Sequence, residues 1–304
     1  MKNIFVFGSV NMDLVVAAKR MPKIGESVKG HGFMTNQGGK GANQAVACKK
    51  LGGEKVVFLG SVGNDVFGER LKAALSGYGV DVSNMYVDEK NQSGVCFIML
   101  DEEKKDNYLI IDGGANDAVQ FEYFERYLEQ NASLGDLFIT QLEVNVDAVK
   151  AALRFAKRKG MCTVLNPSPV CEIGEEFLEN VDLLVLNETE TEMMTGINPK
   201  TDEELIAASK LLIKEGVKEV VITLGENGSA YYKDALIKEA ARKVVAVDAT
   251  SAGDTFLGAI AFKKAQGESV ENALSFASLC ASITVSRKGA SISIPTKSEI
   301  ENLM

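Results

Sequence analysis

The run Ala252-Gly253-Asp254 is the part of this chain best equipped for chemistry. It follows the apolar residues 244–247 and the small-residue segment Ala249-Thr250-Ser251, and it precedes the helix-compatible Thr255-Phe256-Leu257-Gly258-Ala259. That succession predicts a strand, a loop and a helix. Free backbone N–H groups at a helix start converge on an anion, so Ala252 and Gly253 can form an anion hole around a transferring phosphoryl group. Asp254, at the positive end of the same helix, should stay ionised and can take a proton from an attacking hydroxyl. Simple helix capping is the structural alternative, because aspartate is a common cap.

Three other segments have usable chemistry. Asn36-Gln37-Gly38-Gly39-Lys40-Gly41-Ala42-Asn43-Gln44 combines backbone that can approach a ligand closely with one cation and one amide suited to hydroxyl-rich molecules. It lacks the pattern of a Walker A loop. It also fails as a dinucleotide fingerprint, because Gln44 occupies the third glycine position. Residues 220–232 read as strand, turn and strand around Gly225-Glu226-Asn227-Gly228, where a nucleotide can lie if the fold brings the turn beside Gly253. Asn187-Glu188-Thr189-Glu190 follows an apolar strand; it can order magnesium through water or cap a helix with Asn187 and Glu190.

These segments need a scaffold, and the chain is long enough to build one. It has 304 residues, 46% of them hydrophobic, which describes an ordinary globular protein. The short apolar residues 4–7 read as a first strand rather than a secretion signal, and no stretch approaches a spanning helix, so a cytoplasmic protein is expected. A net charge of -9, no tryptophan and no long basic run argue against nucleic-acid binding. Five cysteines without Cys-x-x-Cys spacing read as small core residues. His31 is the only histidine, which leaves little room for a His-based triad or metal cluster.

Apolar strands are predicted at residues 4–7, 55–59, 137–141, 162–165, 183–186 and 219–224, with helices between them such as 146–159 and 202–214. Several strands are apolar on both faces, the mark of a buried parallel sheet. The alternation predicts an α/β fold with a doubly wound, mostly parallel central sheet. Residues 11–37 and 93–111 break the rhythm and read as antiparallel hairpins. Together they would form a small inserted β-sheet lid over a cleft, and no linker divides the 304 residues into further domains.

Taken together, and in this order, the motifs resemble the ribokinase family of carbohydrate kinases, also called the PfkB family, over the whole chain. Gly8-Ser9-Val10-Asn11-Met12-Asp13, the loop at 38–44, Gln141-Leu142-Glu143, Asn187-Glu188-Thr189-Glu190, the turn at 223–228 and Ala252-Gly253-Asp254 all look like family motifs. The resemblance implies an ATP-dependent kinase with D-ribose as acceptor; fructose, a sugar phosphate or a nucleoside is the alternative. It implies sugar contacts from Asn11, Asp13, Gly38, Gly39, Lys40, Asn43 and Glu143, with Asp254 as base beside Ala252 and Gly253. It further implies ATP contacts from Asn187, Thr223, Gly225, Gly228, Gly253 and Ser278, and magnesium bound through water by Glu190. A potassium-type cation would involve Asp248, Thr250, Thr284, Arg287, Gly289 and Ser293, mostly through backbone carbonyls.

Ala249 and Ser251 depart from the family's Thr and small residue, and Ser278 stands where an adenine-contacting His or Asn is often found. A homodimer pairing two lids is also implied, with open strand edges as the physical motive. Two other classes compete. A non-catalytic sugar binder predicts a damaged loop at Gly253-Asp254, which is intact, and a dinucleotide oxidoreductase lacks its fingerprint.

Overall fold

The computed structural model describes residues 1–303 and is built on an eight-stranded sheet. In spatial order its strands are Leu236–Glu239, Ser229–Tyr232, Glu219–Thr223, Leu183–Asn187, Cys162–Asn166, Leu137–Gln141, Ile4–Phe7 and Val56–Leu59. The last six pair in parallel, and the hairpin Glu219–Thr223 with Ser229–Tyr232 begins the antiparallel edge. The doubly wound α/β fold is therefore present. Its apolar strands are explained by two cores. Ile4 and Val6 face one, filled by the helices Lys40–Lys50, Ala252–Gln266 and Val270–Val285; Phe5 and Phe7 face the other, filled by Glu122–Asn131, Val146–Arg158 and Asp202–Lys214.

After Ile4–Phe7 the chain adds Val56–Leu59 on one side and later Leu137–Gln141 on the other. That is a topological switch point, and the crevice beyond the carboxyl ends of such strands is where open α/β sheets bind ligands. Gly8, Ser9 and Glu143 lie there by chain position.

Both expected hairpins form. Asn11–Ala18 pairs antiparallel with Gly30–Gly38, and Gly94–Asp101 pairs antiparallel with Asp106–Asp112. Parallel pairing of Asn11–Ala18 with Gly94–Asp101 fuses them into one four-stranded sheet. Every residue of the edge strand Asp106–Asp112 is exposed, including Leu109, Ile110 and Ile111.

One expected strand is absent. Residues 244–247 form no ladder, and Val245 is 83% exposed. The sheet already ends at Leu236–Glu239, and the N–H groups of Val247 and Asp248 turn instead onto the Val285 carbonyl at 2.7 and 3.1 Å. Apolar composition was the only signal for a strand there, and the segment pairs with none of the sheet's strands. Among the described residues no helix is long and apolar enough to cross a membrane.

Candidate active site

Buried hydrogen bonds assemble one side of the crevice. Glu143 Oε2 accepts from Ser9 Oγ at 2.6 Å and from the Lys40 N–H at 3.0 Å, which ties the end of Leu137–Gln141 to the start of the Lys40–Lys50 helix. Asn11 Oδ1 accepts from Asn116 Nδ2 at 2.8 Å, and Asn116 also bonds both backbone groups of Val10. Asp13 is buried on the strand next to Gly38, where a Cβ would overlap its carboxylate. Burial, and then the charge of Glu143, push the Asp13 carboxyl up to about 7. Gly39 has φ of 90° and would bring a Cβ to 2.7 Å from Val10 Cα, so both its conformation and its surroundings require glycine.

Asp254 meets this cluster from the far end of the chain. The cap of its helix is Ser251, held at φ 60° without a side-chain capping bond, so Asp254 is free of the capping role. Its two carboxylate oxygens accept from Asn43 Nδ2 at 3.2 Å and Gln44 Nε2 at 3.0 Å. Burial raises its pKa; the Lys40 charge and the Gln44 and Asn43 donors oppose that rise, while Glu143 adds to it. Its place at the helix start does not leave Asp254 with an ordinary carboxyl, because burial is the largest influence on it. Lys40 is drawn down by burial, but Asp254, Glu143 and Glu190 more than offset this and leave its pKa raised, so it stays an ammonium ion.

At the helix start the Ala252 N–H donates to Ala249 O at 3.2 Å, while the N–H groups of Gly253 and Asp254 have no backbone acceptor among the described residues. A Cβ on Gly253 would meet nothing within 4 Å, so there is open space beside this turn. An anion seated there would take two amide hydrogen bonds and the field of a fifteen-residue helix.

The neighbouring side is made largely of backbone. Asn187 and Glu190 form a capping box at 2.8 and 2.9 Å, so the capping reading holds, with one Glu190 oxygen engaged. Thr223 ends its strand, and Gly225 and Gly228 both have positive φ in the turn that follows. That turn packs on the backbone of residues 239–241, and Ala240 O accepts from Ser278 Oγ at 3.1 Å. The turn, the extended segment leading to Gly253 and Ser278 are thereby linked.

Asp248 stitches two loops, its oxygens accepting from the N–H groups of Thr250 and Gly289 at 2.9 Å each. Burial would raise its pKa, but these bonds and Lys288 lower it overall. Thr284 Oγ1 bonds Thr255 Oγ1 at 3.1 Å, and Ser293 Oγ bonds Ala290 O at 2.7 Å. The Arg287 guanidinium pairs with Glu299 and, being a cation without acceptors, cannot ligate another cation, so any ligand from this residue is its backbone carbonyl. The Asp248 carboxylate that joins these two loops is an anion able to face a cation. Among the described residues no three His, Cys, Asp or Glu side chains form a metal cage, and a magnesium ion would draw most of its ligands from water and phosphate.

His31 stands apart, exposed on the small sheet and paired with Glu102 at 3.2 Å. Cys48, Cys96 and Cys280 are buried as expected, whereas Cys171 is exposed. Four residues of the site had no assigned role beforehand: Ser9, Gln44, Asn116 and Gln141. Asn116 follows Gly113-Gly114, a glycine pair that could have marked it.

Residues 1–297 match the profile described as pfkB family carbohydrate kinase. The chain is similar to "Ribokinase" of Schizosaccharomyces pombe, 41% identical over 99% of this chain and 97% of that one. It is also similar to "Deoxyribokinase" of Salmonella typhi, 35% identical over 97% and 96%. Among solved structures, Arabidopsis thaliana ribokinase complexed with ribose and ATP superposes with a TM-score of 0.90 at 31% identity, covering 99% of this chain and 98% of that one.

Proposed function

This chain belongs to the pfkB family of carbohydrate kinases, and we propose that it transfers the γ-phosphoryl group of ATP to D-ribose, giving ribose 5-phosphate. The observation that carries the proposal is the meeting of Asp254 with Asn43, 211 positions away, which joins the anion-binding helix start to the glycine-rich loop.

In this reading Asn11, Asp13, Gly38, Gly39, Lys40, Asn43 and Glu143 hold the sugar hydroxyls. Asp254 takes the proton of the attacking hydroxyl as its oxygen bonds to the γ-phosphorus and the bridging bond to ADP breaks. A carboxylate with a raised pKa is a better base near neutrality than an ordinary one, provided it remains ionised, and Lys40 helps to keep it so. The anion hole expected of Ala252 and Gly253 shifts by one residue: the Ala252 N–H is engaged by Ala249 O, and the free N–H groups of Gly253 and Asp254 take the role.

ATP lies along Asn187, Thr223, Gly225, Gly228, Gly253 and Ser278. Magnesium, held through water by Glu190, supplies neutralisation of phosphate charge when bound. Potassium would be held among Asp248, Thr250, Thr284, Arg287, Gly289 and Ser293, a reading supported by the Asp248 bridge between the 248–250 and 289 loops. The four-stranded sheet closes as a lid, excluding water that would otherwise compete for the phosphoryl group. Two lids pair in a homodimer, supported by the exposed apolar edge strand Asp106–Asp112. Five free thiols suit a reducing cytoplasm.

A coupled kinase assay with ATP, Mg²⁺ and K⁺ across D-ribose, 2-deoxyribose, fructose, sugar phosphates and nucleosides tests the reading. The highest kcat/KM is expected for D-ribose. A higher value for 2-deoxyribose, the sugar named by the Salmonella typhi relative, would reassign the acceptor, and no turnover on any of them would end the kinase reading.

A further inference from the structure

We propose that Gln44 and Gln141 are positioning residues for the base, forming a one-way chain of amides from Gln141 through Gln44 to Asp254. The inference rests on Asp254 being the base and deepens that reading. Gln141 Nε2 donates to Gln44 Oε1 at 2.6 Å, and Gln44 Nε2 donates to Asp254 Oδ1 at 3.0 Å. Both glutamines are fully buried. A side-chain amide has one accepting end and one donating end. Once Gln141 occupies the Gln44 oxygen, the Gln44 nitrogen must face Asp254.

The far end of the chain supports this polarity. Gln141 Oε1 is buried without any hydrogen-bond partner and lies against Gly8, where a Cβ would collide with it. Turning both amides over would place a donor there, but it would also turn the Gln44 oxygen onto Asp254. That arrangement repels a carboxylate and fits only the protonated acid. The unpaired oxygen therefore sits where it does least harm, at the end remote from the reaction.

The two amides touching Asp254 differ. Asn43 Oδ1 is shared with Gln37 and Ser291, and Asn43 belongs to the sugar-contacting set, so it is free to exchange partners when the acceptor arrives. Gln44 has no such alternative. It stands on a helix, and Gln141 ends a central strand of the sheet, so both supports are rigid.

The charged groups that act on Asp254 are Lys40, from the same helix as Gln44, and Glu143, just beyond Gln141. Loss of the Gln44 donor leaves burial and Glu143 opposed only by Lys40 and Asn43. The carboxyl then holds its proton to higher pH, and the acidic limb of kcat moves upward.

The test compares kcat and KM for D-ribose against pH in Gln44→Met, Gln141→Met, the double variant and Asp254→Asn. Gln44→Met should lower kcat near neutrality by ~10-fold. Its acidic limb should rise by roughly one pH unit, with KM changed less than about threefold. Gln141→Met should shift the limb the same way by less, and the double variant should match Gln44→Met, because the chain acts as a unit. If Gln44→Met does not fold, the isosteric Gln44→Glu, which presents an acceptor to Asp254, should move the limb at least as far. Limbs unmoved in every folded variant, or a kcat loss without a pH shift, overturn the relay. Near-normal turnover by Asp254→Asn overturns the base itself, a different failure from an inactive Asp254→Asn accompanied by unmoved limbs.

Discussion

The side of the site proposed for the acceptor is made of buried side chains that hold one another, whereas the side proposed for nucleotide and cation is made mostly of backbone. On the first, Glu143, Ser9, Asn43, Gln44 and Asp254 are joined across long stretches of chain by bonds of 2.6 to 3.2 Å. On the second stand glycines with positive φ and a helix start with free N–H groups, and the exposed segment at 244–247 leads towards them. A pre-wired pocket discriminates through side-chain identity and geometry. A backbone cradle grips what all nucleotides share.

If that contrast is right, substitutions on the acceptor side should have much the larger effects. The largest is expected for Asp254→Asn, which keeps shape and loses the base: turnover should fall by ~10²-fold or more, with ribose binding measured calorimetrically little changed. Next is Gly38→Ala, whose methyl group would displace the Asp13 carboxylate and should raise KM for ribose by ~10-fold or more.

Third is a trade between binding and stability at Asp13. Its carboxyl titrates at about 7 in the folded protein against 3.8 ordinarily, so the native state holds the extra proton between those values. Stability from this group therefore falls as pH rises from the ordinary value through about 7 and is level above it. Asp13→Asn should raise the thermal midpoint of the sugar-free protein at neutral pH, by an amount worth a few kcal/mol at most, and leave it unchanged near the ordinary carboxylate pKa. Its affinity for ribose should drop at the same time. The smallest effect belongs to the backbone side. Ser278→Ala should change KM for ATP by less than about threefold, since its hydroxyl is already bonded to Ala240. A large loss there would erase the contrast.

The same contrast governs what can be read from the chain. The six parallel strands were legible because helices cover both faces and make them apolar throughout; the two hairpins were legible from alternation and an acidic turn. Residues 244–247 misled, since hydrophobicity cannot say whether a partner strand is near. The parallel pairing of Asn11–Ala18 with Gly94–Asp101 lay outside local pattern altogether. Within the site, Asp254, Lys40 and Asn43 announced themselves by type and by glycine-rich context. Gln44 looked like a failed glycine, and its use emerges only when folding brings Gln141 and Asp254 to either end of it.

That parallel pairing also sets an order of events at synthesis. The Asn11–Ala18 strand is one of the two inner strands of the small sheet, yet its second neighbour emerges roughly eighty residues after it, so that pairing is of high sequence separation. Until Gly94–Asp101 is made, the first hairpin must wait with an unpaired inner edge. The sheet that covers the site thus completes its pairing after the first strand and the glycine-rich helix beneath it have been made, and a pause in translation between the two hairpins would leave an adhesive nascent chain.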